Sequence, residues 1–317
     1  MFDLALFGGS PIRTKPFPSW PNQSKAIRES VLETLENATW GIGSKTIDEF
    51  NLRFAEYHDA KYCISIHSGT SALWVALKSA GVRAGDEVII PAYTFIATAT
   101  AVLMVNAVPV FADIDLKTGN MDPKDIESKI SDRTKVIVPV HVAGSPVDLN
   151  AINTLAEKHK LVVIEDAAQA HGATYKGRSV GSIGHIGAWS FCQDKIMTTG
   201  GEGGMVTTND EALWRKMWAY KDHGKSYAAV YETQHPPGYR WLHESFGTNW
   251  RMTEMQAVIG RIQLQRMQDW TAKRTANAHA ILDACEKWQE KGYLSVPRLE
   301  QTPEFADCTH AYYKLYV

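Results

Sequence analysis

The chain has 317 residues, 44% of them apolar and 21% charged, with a formal charge of −2 at neutral pH. This is ordinary composition for a soluble globular enzyme, and with no long run of one sign it excludes an electrostatic case for nucleic acid or an anionic membrane surface. Four cysteines, Cys63, Cys192, Cys285 and Cys308, show no CxxC spacing, so neither a zinc site nor a disulfide framework is indicated.

Residues 1–25 are rich in proline and aromatics (Pro11, Pro16, Pro18, Trp20, Pro21) and read as an extended arm. Met1 to Gly9 lacks the basic start and apolar length of a secretory signal, and no apolar run is long enough to span a bilayer. A cytoplasmic location is therefore expected. Ser24 caps a predicted helix to Asn37 with Ile27, Val31, Leu32 and Leu35 on one face, and a second helix is predicted over Ile47–Tyr57.

From Lys61 the texture changes to short apolar runs spaced by helical segments. Predicted strands are Tyr62–Ile66, Glu87–Pro91, Val108–Asp113, Lys135–Val140, Leu161–Asp166, Ala188–Phe191 and Gly204–Thr208. Between them lie predicted helices Ser71–Ala80, Phe95–Val105, Asp122–Ile130 and Leu149–His159. Apolar strands of this kind are buried on both faces, so a mostly parallel α/β sheet is expected. Gly204–Thr208 follows a turn so closely that it is free to run antiparallel. After Asn209 the chain is mainly helical (Asp210–Asp222, Thr253–Leu264 and a long segment to Lys291), with a last strand expected over Tyr312–Val317.

Four segments carry chemistry. Ser68-Gly69-Thr70-Ser71 follows a strand and opens a helix, where N–H groups and the helix dipole favour a phosphate, although a plain Ser N-cap has the same pattern. Tyr93 and Phe95 follow the next strand, at the end of the sheet where open α/β folds bind ligands; core or rim packing would also account for them. Asp166, with Gln169 and His171 behind it, ends another strand and could hold a pyridinium N–H or cap the next helix. Lys195 stands between a strand and the glycines Gly200, Gly201, Gly203 and Gly204; lysine is the side chain that forms Schiff bases with pyridoxal phosphate. In order these are a phosphate cradle, a stacking aromatic, a carboxylate for a pyridine nitrogen and a lysine. No Gly-x-Ser-x-Gly elbow or dinucleotide fingerprint competes with that reading.

The motifs Ser68-Gly-Thr-Ser-Ala-Leu73, Pro91-Ala-Tyr-Thr-Phe-Ile-Ala-Thr98, Pro139-Val-His-Val-Ala-Gly144, Glu165-Asp-Ala-Ala-Gln-Ala-His-Gly172, Trp189-Ser-Phe-Cys-Gln-Asp-Lys195, Gly201-Glu-Gly-Gly204 and Gly247-Thr-Asn-Trp-Arg-Met252 cover nearly the whole chain. On them the sequence resembles the DegT/DnrJ/EryC1/StrS family of fold type I, pyridoxal phosphate-dependent sugar aminotransferases. The resemblance implies a large cofactor-binding α/β domain over residues 1–250, with residues 251–317 beginning a smaller C-terminal domain. It implies that Lys195 carries the cofactor and shuttles the proton, that Asp166 pairs with the pyridine nitrogen, and that Gln169 contacts the ring hydroxyl. Phe95 would stack on the ring, while Gly69, Thr70, Ser71 and Ser190 would form the phosphate site. Asn249 would reach the phosphate of a neighbouring subunit, giving a homodimer with shared sites, and His141, His171, His223, Arg251 and Tyr93 are candidates for the substrate side. No metal is implied.

The implied reaction moves an amino group from an amino acid, glutamate or glutamine, to a keto-sugar, nucleotide-linked by the same resemblance; a cyclitol or aminoshikimate-type acceptor is the alternative. A dehydratase of the same fold would carry histidine in place of Lys195, and a cofactor-binding regulatory protein would need a DNA-binding element not evident here. Trp20-Pro21 and Tyr231–Trp241 are where acceptor contacts are expected. Family members run several tens of residues past a strand like Tyr312–Val317, so an incomplete small domain, an unpaired strand edge and an open cleft are expected.

Overall fold

The computed structural model describes residues 4–22, 24–37, 39–296, 298–299 and 302–317. After an exposed arm come α1 (Lys25–Asn37) and α2 (Lys45–Tyr57), whose first turns are capped by Ser24 and Ser44 hydroxyls accepting from Ile27 and Ile47 N–H. An alternating series follows: β1 (Tyr62–Ile66), α3 (Gly69–Ser79), β2 (Glu87–Pro91), α4 (Ala97–Met104), β3 (Val108–Ala112), α5 (Pro123–Lys129), β4 (Thr134–Ile137), α6 (Leu149–His159) and β5 (Val162–Asp166). A small hairpin, β6 (Thr174–Tyr175) and β7 (Arg178–Ser179), precedes β8 (Ile186–Ser190) and β9 (Gly204–Thr208). Helices α7 (Glu211–Lys221), α8 (Glu254–Leu264) and α9 (Met267–Gln289) complete the main elements.

Seven strands form one sheet in the order β1-β9-β8-β5-β4-β2-β3. The β8–β5, β5–β4, β4–β2 and β2–β3 pairs are parallel, whereas β9 is antiparallel to both β1 and β8, so six strands share a direction and β9 alone is reversed. The expected mostly parallel α/β sheet is thus present. Its central strands are largely buried because each face has its own core. Val163, Ile89, Ile137 and Met205 pack on one side with Phe50, Phe54 and Phe191. Ile164, Val88, Ile90 and Val206 pack on the other with α3 residues Ala72, Val75 and Ala76. Continuous apolar strands are what two covered faces require.

Two expectations need correction, and one element was not anticipated. In α1, Ile27 is buried, but Leu32 and Leu35 are exposed and the buried partner is Thr34; the apolar stripe is wider than the face this chain itself covers. The β6–β7 hairpin was not anticipated, although Lys176-Gly177 with both φ positive is a two-residue turn of the type that hairpins favour. Tyr312–Val317 is not a strand. Tyr312 has φ of 49°, which breaks the extended run, and Ala311 and Lys314 N–H donate to Gly144 and Ala143 carbonyls of the loop after β4. The expectation of an unpaired strand edge there falls with it.

Candidate active site

All the chemistry-bearing segments leave the sheet at one end. β1, β2, β4, β5 and β8 run in the same direction, so the loops after them (67–71, 92–96, 138–144, 166–172 and 190–195) gather along one rim. That rim is where ligands of open α/β sheets bind.

The cradle forms where β1 turns into α3. Ser68 Oγ accepts from Ser71 N–H at 3.2 Å and lies 2.9 Å from Ser71 Oγ, which in turn approaches His67 Nε2. Ser71 N–H is therefore already engaged, and Ala72 N–H reaches Ser68 O. Gly69 and Thr70 N–H are the first-turn donors with no helical acceptor, and they sit at the positive end of an 11-residue helix. Gly69 backs directly onto Ser190: a Cβ at Gly69 would lie 2.5 Å from Ser190 Cβ and 2.9 Å from its Oγ. Only a glycine admits this approach, and it brings the hydroxyl of β8 beside the N-terminus of α3. Gly200 and Gly201, both with positive φ, serve the turn leading back to β9 rather than this cradle.

Asp166 ends β5 with 6% exposure. Its Oδ2 accepts from Thr98 Oγ1 at 2.9 Å and its Oδ1 from Ala168 N–H at 3.2 Å. Burial pushes the carboxyl above the usual aspartate range, while these two donors and the Lys195 charge pull it back. Among the described residues, the two donors to this carboxylate are neutral groups. The Thr94–Thr98 hydroxyl pair, 2.8 Å apart, continues the network from the β2–α4 loop; sequence reading missed Thr98 because its pattern is that of any apolar helix start.

Glu165, the residue before, has a different task. It is fully buried and accepts from Gly181, Ile183 and Gly184 N–H at 2.5–2.8 Å, with His141 Nε2 at 3.0 Å. Burial alone would raise its carboxyl, but His141 and the Gly184 and Gly181 amides hold it below the usual range. Since Val147 N–H donates to His141 Nδ1, the ring's proton sits on Nε2, toward Glu165. His141 is thus an internal brace and not a substrate-side residue. His171 is corrected likewise: it has no exposed surface, packs against Trp189 and Phe191, and is held neutral by burial and by the charges of Lys195 and Arg274.

Gln169 Oε1 accepts from Ala143 N–H at 2.8 Å, and no hydrogen bond engages its amide NH2 among the described residues. Phe95 is 67% exposed and Tyr93 45%, with Tyr316 beside the latter (ring centroids 6.3 Å apart), so both aromatics stand on the rim instead of in the core. Asn249 is exposed and its backbone bridges to Asp222; Arg251 is spent on Asp222 at 2.6 Å, and His223 is exposed with φ of 59°. None of these three joins Lys195 through a contact among the described residues.

Lys195 Nζ lies 3.5 Å from Tyr313 Oη and 4.7 Å from the centre of that ring. The amine lines a cavity of about 330 Å³ with Trp20, Trp270, Arg274 and Asp194. Trp20 of the N-terminal arm is pinned by its Nε1–H to Gln193 O at 2.8 Å and meets Trp270 edge-on at 5.3 Å. Tyr239 and Trp241, by contrast, are exposed and pack on one another. No group of His, Cys, Asp and Glu among the described residues could hold a metal ion, and no described helix is long and apolar enough to cross a membrane.

The sequence profile of the DegT/DnrJ/EryC1/StrS aminotransferase family matches residues 21–316. The L-glutamine:2-deoxy-scyllo-inosose aminotransferase of Streptomyces kanamyceticus is 40% identical over 291 residues, which is 89% of this chain and 67% of that protein. GDP-perosamine synthase of Caulobacter vibrioides is 42% identical over 247 residues, 78% of this chain and 64% of that one. The X-ray structure of the aminotransferase from Psychrobacter cryohalolentis, 65% identical, superimposes with a TM-score of 0.93 over 95% of this chain and 76% of that one. The chain thus spans about two thirds of the length of these curated relatives. Family and structural neighbours are pyridoxal phosphate-dependent enzymes, and by sequence and fold alike this chain belongs to the DegT/DnrJ/EryC1/StrS aminotransferase family.

Proposed function

We propose that this chain moves the amino group of glutamine or glutamate to the ketone of a sugar, with pyridoxal phosphate held on Lys195. The observation that carries the reading is the placement of a buried carboxylate, a helix-end anion cradle and an amine on one rim of the sheet: Asp166, Gly69-Thr70 with Ser190, and Lys195.

The residues fit the cofactor. Gly69 and Thr70 N–H, the Thr70 hydroxyl and Ser190 Oγ would take the phosphate, with Ser71 stabilising the turn through Ser68. Asp166 would hold the proton of the pyridine nitrogen, because a cation there supplies the partner that its burial demands. Phe95 would cover one face of the ring, and the free NH2 of Gln169 would donate to the ring hydroxyl. The cofactor supplies an aldehyde and an electron-withdrawing ring. Lys195 Nζ takes the proton from the donor's Cα and delivers a proton to the acceptor carbon in the reverse half.

Asn249 would complete the phosphate site of a second copy. The exposed apolar side chains of Leu32, Leu35, Trp40, Ile42 and Ile96 support such a pairing, since monomers rarely leave so many large apolar groups in water. In the acceptor, a nucleotide-linked keto-sugar is the first reading, in keeping with the GDP-perosamine synthase relative. A keto-cyclitol is the second, and the similarity to an inosose aminotransferase that uses L-glutamine favours it specifically. The experiment is amino transfer from glutamine and glutamate to a panel of nucleotide-linked keto-sugars and inososes, read by product mass. Transfer to neither class would remove the proposal.

A further inference from the structure

Tyr313 is not part of the reading above, yet it is the residue that Lys195 touches. It comes from the last described segment and reaches the lysine across 118 residues of sequence. Its position is not accidental packing, because its own hydroxyl is committed: Tyr313 Oη–H donates to Asp194 Oδ2 at 2.6 Å. With the phenolic proton directed at Asp194, the oxygen presents lone pairs, and the neighbouring donor is Lys195 Nζ at 3.5 Å. The ring face adds a second attraction for the ammonium, 4.7 Å away. The loop after β4 anchors the segment on both sides of Tyr313, since Ala311 and Lys314 N–H bind the Gly144 and Ala143 carbonyls, and Arg274 Nε binds Ala311 O. Asp194 in turn precedes Lys195 in the chain, so amine, phenol and carboxylate form a short closed relay.

We propose that Tyr313, oriented by Asp194, is a positioning residue that holds the Lys195 amine whenever that amine is not bonded to the cofactor. This rests on the assignment of Lys195 as the cofactor lysine. It goes beyond that assignment in naming what aims the amine during the part of the cycle when it must carry a proton. An unheld lysine on a four-carbon stem samples many rotamers; a donor–acceptor contact to a fixed phenol restricts them, and misplacement of a reacting group by an ångström is costly in rate.

The test uses Tyr313→Phe, which keeps the ring and removes the acceptor, and Asp194→Ala, which takes away the acceptor of the phenol proton. In cofactor-free protein, competitive acetylation with acetic anhydride, followed by mass spectrometry of the Lys195 peptide, reads the amine directly. The Lys195 labelling rate is expected to rise severalfold in both variants, with other lysines and the melting temperature unchanged. In loaded protein the glutamine half-reaction should slow by about tenfold in Tyr313→Phe, with the half-saturating glutamine concentration unmoved. Labelling and rate at wild-type levels in both variants would overturn the proposal. A shift in half-saturation without a change in rate would overturn it too, by making Tyr313 a substrate contact. Borohydride reduction and peptide mapping show independently whether the cofactor is on Lys195, so failure of that assignment is distinguishable from failure of this one.

Discussion

Gly69 and Ser190 abut so closely that a methyl group on the glycine would lie 2.5 Å from Ser190 Cβ. This contact joins the N-terminus of α3 to the end of β8 and gives the proposed phosphate site its shape. Gly69→Ala should therefore push the two apart, weakening pyridoxal phosphate binding at least tenfold, a loss of about 1.4 kcal/mol. Fluorescence or absorbance titration of the cofactor measures it; unchanged affinity would mean that the phosphate sits elsewhere.

Asp166 separates stability from function. Burial raises its carboxyl pKa in the folded protein, so the folded state keeps this proton more firmly than the unfolded chain does. The proton's contribution is full below the unfolded value near 3.8 and is lost as pH rises through the raised folded value, leaving an ionised carboxylate that costs stability at neutral pH. Asp166→Asn should melt no lower than wild type without cofactor at pH 7. It should lose most of the stabilisation that added cofactor confers on wild type, which differential scanning fluorimetry with and without pyridoxal phosphate reads.

Glu165 behaves in the opposite sense. Burial works to raise its folded pKa, but His141 and the Gly184 and Gly181 amides hold it below the usual range. Its stabilisation is present above the unfolded value of 4.5 and disappears as pH falls through the folded value. Glu165→Gln leaves His141 and the amides of the 181–184 loop poorly paired in a fully buried place, and should cost about 3 kcal/mol at pH 7. Urea unfolding at pH 7 and below pH 4 checks both parts: the variant's deficit should shrink in acid.

Phe95 is mostly exposed, so its removal should hardly affect the fold. Phe95→Ala is expected to keep stability within about 0.5 kcal/mol of wild type while weakening cofactor binding severalfold. A large stability loss with unaltered binding would instead make Phe95 a packing residue.

How much of this was legible in the sequence follows from what each residue depends on. The strands were readable because both faces of the sheet are covered, so β1, β2 and β9 stand in the sequence as short segments rich in buried apolar residues, with the boundaries expected. The placement of Asp166 and Ser190 at the ends of β5 and β8, with Lys195 in the loop after β8, was readable because they lie within motifs of definite order. His141 and His171 were misplaced because a histidine beside a site and one inside the core look alike in one dimension; only the Glu165 contact and complete burial distinguish them. Thr98 and Tyr313 were missed for a related reason. Their roles arise from pairings across 68 and 118 residues, which no local spacing encodes. The final segment was misread as a strand because its apolar run hides the positive φ at Tyr312.

The proposed assignment of Lys195 as the cofactor-bearing lysine underlies every role given to the other residues. Reconstituting the protein with pyridoxal phosphate, reducing it with borohydride and mapping the peptides tests this directly. A phosphopyridoxyl adduct is expected on Lys195 alone, with loss of that adduct when glutamine is added before the reductant. An adduct on another lysine, or none on Lys195 at saturating cofactor, would contradict it.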